Sequence, residues 1–534
     1  MSKRIALFAA AGLLSLNLNA ADESLGKQLL QGNCLGCHTP TKHGLSRMSG
    51  QRKPAEGWEM TINRMRVVHG LQLHHEGMSE GEVLSELVKY LADTQGLAPA
   101  ETAEFRYLLE RNGNHQESFD PLIAETCGRC HSSARVALQR RTFEEWDRTI
   151  DFHLGQWPST EYSLLGRDRP WLKIAREQVI PRLADEYPLD TQAWRDWQAI
   201  EKPQPEGDWV LAGHVPGDGE FSAVMTVTPV PDRADRYRVS VNGHYADGSV
   251  LQGSGSAIVY TGFEWRAAIN VGGQVLNQAF ALTEDGNAIG GRMYQRDQEQ
   301  IGASIKGIRQ GDQPTVLSVY PHAITTGGES VVTVTGTGLD SVDISLDGLE
   351  VIEVVSSASY RAQLKVRSLA EAGRGQHVIH LGDVATDASV ASYDRVDALS
   401  IEPPWGVARI GDNGGHSAKL EAVFRARGTS WGEDGVAGTE DDIDLGYIDD
   451  VRWRTVPRDE AAEHDDDVKF SGQMDPATGR FVPAGAGPNP ARPRSTNNAG
   501  NLNVVASYEQ GERVVEGTGR LLVTVQRWNQ PPLK

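Results

Sequence analysis

The sequence predicts a multidomain protein in which a mainly α tandem region comes first and three all-β domains follow. Three observations predict it. All four cysteines and eight of the fifteen histidines fall within the first 200 of the 534 residues. In that stretch the apolar residues recur at helical spacing, whereas beyond Lys202-Pro-Gln-Pro205 they alternate with the period of two expected of strands. Within the first 200 residues, moreover, the same order of elements occurs twice.

Residues 1–20 read as a signal peptide. Lys3 and Arg4 supply a positive start, Ile5–Leu18 is an apolar core too short to span a bilayer, and Ala20-Ala21 offers a cleavage site. The mature chain is therefore expected in the periplasm. The next two segments, 21–95 and 96–200, each run a helix into a Cys-x-x-Cys-His motif: Cys34-Leu-Gly-Cys37-His38 and Cys127-Gly-Arg-Cys130-His131. This is the attachment pattern of a c-type haem, in which two thiols add to the haem vinyl groups and the adjacent His reaches the iron. A zinc half-site would need two further ligands at matched spacing, and a redox dithiol does not need the His. Two complete copies use every cysteine. The reading is two small cytochrome-c-like domains with two covalently bound haem c groups, held by Cys34, Cys37, Cys127 and Cys130. His38 and His131 are the proximal iron ligands.

A helix led by Trp follows each motif. Trp58-Glu-Met-Thr-Ile-Asn-Arg-Met65 aligns with Trp146-Asp-Arg-Thr-Ile-Asp-Phe-His153, so Met65 falls opposite His153. In each copy Trp, Ile and the last residue sit at i, i+4 and i+7 and share one helix face. Met65 is assigned to the first haem iron and His153 to the second. Rivals are His69, His74, His75 and Met78 for the first iron and His115 for the second. A thioether is a poorer donor to ferric iron than imidazole, so the Met-ligated haem should have the higher potential. The closing helix of the first copy has an apolar stripe (Val83, Leu84, Leu87, Val88, Leu91) opened by a Ser79/Glu82 capping box. In the second copy, Asp120-Pro121 starts the motif helix, and the closing stripe, Leu172 to Leu183, is interrupted by Pro181.

The β region divides into 201–312, 313–400 and 401–534. Tyr237–Val241 alternates, and Ala246-Asp-Gly-Ser249 and Glu284-Asp-Gly-Asn287 are hairpin turn signals. Val316–Pro321 and Ser330–Thr335 look like the opening strands of an immunoglobulin-like sandwich. In the last domain, strands are expected at Leu420–Arg425 and Leu521–Trp528. Before the second of these lies a Gly/Pro/Asn-rich stretch, Met474–Gly500, either packed or disordered. The acidic loop 434–444 lacks the spacing of a twelve-residue calcium loop and reads as solvated, and Glu463-His-Asp-Asp-Asp467 reads as a surface charge cluster. The formal net charge of −20 argues against nucleic acid and against an anionic membrane surface as partners.

A dihaem region followed by three β domains resembles the α subunit of quinohaemoprotein amine dehydrogenase. The resemblance rests on the two motifs, the Trp58–Gly70 helix, Leu87–Pro99, Cys130–Arg140 leading to Phe152–Gln156, and the Gly438-Thr-Glu-Asp-Asp442 loop. It covers essentially the whole mature chain. It implies a periplasmic heterotrimer that oxidises primary amines to aldehydes and ammonia. A cysteine tryptophylquinone in a small γ subunit, seated against a β-propeller β subunit, would pass electrons through this chain to a soluble copper protein or cytochrome c. With all four cysteines committed to haem, no quinone crosslink belongs to this chain and no catalytic residue is assigned in it. A stand-alone dihaem carrier for another dehydrogenase and a dihaem peroxidase are the alternative readings.

Overall fold

The computed structural model describes residues 16–105, 119–128, 131–156, 160, 168–369 and 373–526, with side chains from residue 25 onward. Most of the signal-peptide reading, His115, Cys130 and Trp528 lie outside these residues. The expected fold class requires correction. Taken whole, the structure is mostly β, with 43% strand against 23% helix. Nor are its first 200 residues a mainly α tandem of cytochrome-c-like domains. The long helices of the first segment are Leu16–Cys34, Ala55–His69 and Glu80–Gln95. In the second segment the described helices are Phe143–Gln156, an unbroken run from Trp171 to Glu186, and shorter pieces such as Pro121–Thr126 and Gln192–Ala199. Prolines shape these helices, since each lacks an N–H and fits best in the first turn. Pro121 opens a helix and Pro170 caps one, whereas Pro181 lies inside the Trp171–Glu186 run. Upstream of Pro181 the chain relaxes into a π-helical turn, Ala175–Val179.

Local expectations in this region fare better. Trp58 (0% exposed) and Ile62 are buried on one helix, Trp146 and Ile150 on the other. Each Trp indole donates to a main-chain carbonyl at the end of a closing helix, Trp58 to Gln95 O at 3.0 Å and Trp146 to Tyr187 O at 3.2 Å. The Ser79/Glu82 capping box is present, and Asp120 caps Pro121–Thr126. The two segments are joined by a two-residue antiparallel pairing, Gln51↔Arg141 and Arg52↔Arg140. A buried charge network lies beside it: Glu101 accepts from both Arg52 guanidinium nitrogens at 2.8 Å and pairs with Arg140 at 3.1 Å.

Next comes a closed eight-stranded antiparallel barrel running from Gly207–Val215 to Gln298–Arg309. Each strand pairs with the next, and the last returns to the first with Leu211 opposite Gly307. Gly248 (φ +88°) and Gly286 (φ +69°) supply the left-handed turn positions of the two Asp-Gly hairpins. The barrel is filled: Trp209, Trp265 and Phe280 are each at most 1% exposed. Trp197, from the Gln192–Ala199 helix, belongs to this core and donates to Thr261 O at 2.8 Å. Together with Asp93 accepting from Thr261 N (2.7 Å) and Lys89 donating to Asp235 (2.7 Å), it fixes the helical region to the barrel.

An eight-stranded sheet of 315–393 follows, its first strand packed against Val384–Tyr393. The C-terminal domain has a four-stranded sheet and two three-stranded sheets around Phe424, Phe481, Leu502 and Leu521. Its expected strands appear as Ala422–Val423, Arg425–Ser430 and Arg513–Thr524. The 474–500 stretch is packed. Arg492, 6% exposed, donates to Asn497 O, Ala499 O and Asp467. Glu463–Asp466 are exposed, as a surface charge cluster would be, whereas Asp467 at its end is buried. In the acidic loop, Asp441 accepts from the amides of Glu433 and Asp434 and from the Thr439 hydroxyl.

Candidate functional site: the two Cys-x-x-Cys-His segments

The first motif begins where the Leu16–Cys34 helix ends. Cys37 N and His38 N both return to Cys34 O, at 3.2 and 2.9 Å, and wind the motif into one tight turn. Cys34 is half-buried, and burial, with Cys37 beside it, pushes its thiol up to about 11. The second motif begins at the C-cap of Pro121–Thr126, where Cys127 N donates to Ile123 O at 2.7 Å. The Trp171 indole locks this helix end by donating to Thr126 O at 3.0 Å.

The histidines share a feature invisible in the sequence. In all three assigned iron-binding histidines Nδ1 meets a main-chain carbonyl: His38 with Ser46 O (2.8 Å), His131 with Ser132 O (2.8 Å) and His153 with Thr149 O (2.6 Å). A carbonyl oxygen only accepts, so Nδ1 carries the hydrogen and Nε2 keeps its lone pair. That is the tautomer a metal-binding imidazole needs, with its second nitrogen oriented by the protein. Burial also pushes the His153 pKa down, against the Thr149 hydrogen bond, keeping the ring neutral near pH 7.

His131 and His153 come together. Their ring centroids are 6.3 Å apart. Metal–imidazole nitrogen bonds of about 2.0–2.1 Å, with each ring centre roughly 1.1 Å farther out, give about 6.3 Å for two imidazoles on opposite sides of one ion. The spacing of the pair is therefore one at which both imidazoles could hold a single metal ion such as a haem iron. At the first motif no ring pair gives such a measure. Met65 is half-buried on its helix, while Met78, half-buried in the following loop, packs against the same core as Cys34. The His74 amide donates to Asn33 Oδ1 at 2.8 Å, which holds that loop beside the motif. Sequence reasoning missed the three orienting carbonyls. Thr149, four residues before His153, left a readable helical signal; Ser46 did not.

Known proteins define the class. Four family models match in chain order, all of the quinohemoprotein amine dehydrogenase α subunit: its haem-binding domain at 24–194 and domains II at 203–310, III at 313–394 and IV at 399–533. The chain belongs to this family of haem-binding α subunits of an oxidoreductase. One model spans both motifs, which treats the helical region as a single unit. No curated protein matches. Among solved structures, the chain is similar to a redesigned beta barrel (18% identity, 20% of this chain and 92% of that one, TM-score 0.17). It is also similar to domains 4–9 of the surface layer protein SbsC (14% identity, 57% and 47%, TM-score 0.18). Likeness at this level carries no argument.

Proposed function

We propose that this chain is the dihaem c electron-transfer subunit of a periplasmic quinohemoprotein amine dehydrogenase. The carrying observation is the His131–His153 pair, set at the spacing of two axial ligands within a family-assigned haem-binding domain. Cys34 and Cys37 hold the first haem, with His38 and Met65 on its iron; Cys127 and Cys130 hold the second, with His131 and His153. A bound haem supplies one-electron redox chemistry. The chain's residues would orient it: the Ser46, Ser132 and Thr149 carbonyls hold the imidazole rings, and the two motif turns would present the cysteine sulfurs to it. A bis-imidazole iron has both axial positions filled, which favours electron transfer over binding of oxygen or peroxide and weighs against a dihaem peroxidase.

The partners in this reading are a β-propeller β subunit and a small γ subunit carrying a cysteine tryptophylquinone. That quinone yields two electrons for each primary amine oxidised to aldehyde and ammonia, and two one-electron centres accept both. A soluble copper protein or cytochrome c receives them in turn. The test is amine-dependent haem reduction. A complex purified from its native host should reduce its haems on adding a primary amine, and the isolated chain should not. Reduction by the isolated chain, or none in the complex, refutes the proposal.

A further inference from the structure

The junction between the two motif segments buries more positive charge than it neutralises. Lys53 is 4% exposed, and its ammonium donates to Thr61 Oγ1 at 2.7 Å. Arg64 and Arg141 are half-buried beside it. The Arg64 guanidinium lies 4.3 Å over the Phe152 ring with its Nε unpartnered, and Arg141 lies over Trp146 at 5.4 Å and donates to the neutral Gln139 amide oxygen at 3.0 and 2.6 Å, which leaves its charge uncompensated. Glu145 is the carboxylate that acts on Lys53 and Arg141, yet it already pairs with Arg47 and Arg148. The strain is visible in both groups. Burial, then Arg141 and Arg64, push Lys53 well below the usual lysine range; burial, then Arg64, push Arg141 down to about 10. Buried cations in this condition call for an anion.

Position identifies the anion. The Phe152 ring under Arg64 is 5.2 Å from the His153 ring, and Arg141 is near enough to act on that imidazole. An anion here would lie beside the group held between His131 and His153. A haem carries two propionate carboxylates on one edge, and a guanidinium fork matches a carboxylate.

We infer that Lys53, Arg64 and Arg141 form the seat for the propionates of the second haem. Two of its three cations come from the first segment, so that segment would hold the second segment's cofactor. This rests on the haem reading proposed above. It gives the junction a redox role as well as a structural one, because reduction adds an electron and nearby positive charge favours the reduced iron.

The experiment is a spectroelectrochemical titration of the full haem-loaded chain as wild type, Arg141→Gln and Arg141→Lys, with haem content measured on each. R141Q should keep two haems and shift the bis-imidazole haem about tenfold towards its oxidised form, which is 59 mV for one electron. R141K should recover part of that shift. Two haems with both potentials unchanged in R141Q would overturn the inference and leave the haem reading standing. A wild-type chain without covalent haem would instead sink the haem reading and the inference with it. Should R141Q fail to fold, resonance Raman spectra of the wild type decide the matter through the propionate bending modes. Hydrogen-bonded frequencies support the seat, and those of solvated propionates overturn it.

Discussion

His153 shows what a single residue contributes. Its helix sets a repeat of one turn, so its Nδ1 falls on the Thr149 carbonyl, and Nε2 keeps its lone pair for a metal ion. The Cys-x-x-Cys-His motifs and the register that sets Met65 opposite His153 could be read from sequence because residue spacing and helical periodicity are written there. The carbonyl anchors could not, because Ser46 reaches His38 only through the fold of an intervening loop. Two methionines, Met65 and Met78, are thioether candidates for the first iron. The prediction is that Met65→Ala abolishes the thioether-to-iron absorption and Met78→Ala preserves it; the reverse pattern would move the ligand to Met78.

His214 lies far from the motifs and was not singled out by its sequence context. It is 7% exposed, its ring is 4.4 Å from Tyr447, and Asp449 Oδ1 lies 3.5 Å from Nε2. Burial pushes its pKa down to about 4 despite Glu220, so near pH 7 it is neutral and these contacts are not ion pairs. The unfolded chain, with a His pKa of about 6.5, takes up this proton first. Stability from His214 is therefore complete above about pH 6.5 and is lost as pH falls towards its folded pKa, by on the order of 2–3 kcal/mol. Asp449, whose carboxyl burial pushes up, works in the opposite direction. His214→Phe should flatten the fall in Tm between pH 7 and pH 4; an acid limb as steep as the wild type's would contradict this.

At the scale of elements, the Glu80–Gln95 helix was readable almost residue by residue. Its stripe buries Val83, Leu87 and Leu91 at 0–1% exposure, and its start is fixed reciprocally. Glu82 N donates to Ser79 Oγ at 3.3 Å while Ser79 N donates to the Glu82 carboxylate at 2.8 Å. Ser79→Ala should cost about 1 kcal/mol, read as a lower denaturation midpoint that Ser79→Thr restores. An unchanged midpoint would mean that packing alone holds the helix end. The second closing helix was harder to read, because it runs on from Trp171 to Glu186 through Pro181 by taking up a π-helical turn at Ala175–Val179. Apolar periodicity survives such a change of winding, so the stripe was visible and the wider turn was not.

At the scale of the molecule, the three β domains expected after residue 200 are present, and the mainly α tandem expected before them is what required correction. Strand dominates because the barrel, the eight-stranded sheet and the C-terminal sheets fill everything after Gly207. Closure of the barrel was not legible either: Leu211 and Gly307 are paired by topology, and neither carries a local sign of the other. What unifies the helical region is charge. Burial alone would raise the Glu101 pKa, yet Arg52 and Arg140 hold it below the usual range. Glu101→Gln leaves two buried guanidiniums without a counter-charge and should cost about 3–5 kcal/mol in denaturant unfolding. A loss under about 1 kcal/mol would show that the junction does not depend on this pairing.

The central claim is that this chain itself holds two covalent haems. The most direct measurement is a pyridine haemochrome assay combined with intact mass on the chain purified from its native host. Two haems per chain, retained after acid–acetone extraction, is the predicted result. A chain at its bare polypeptide mass, or with a single haem, would contradict the account.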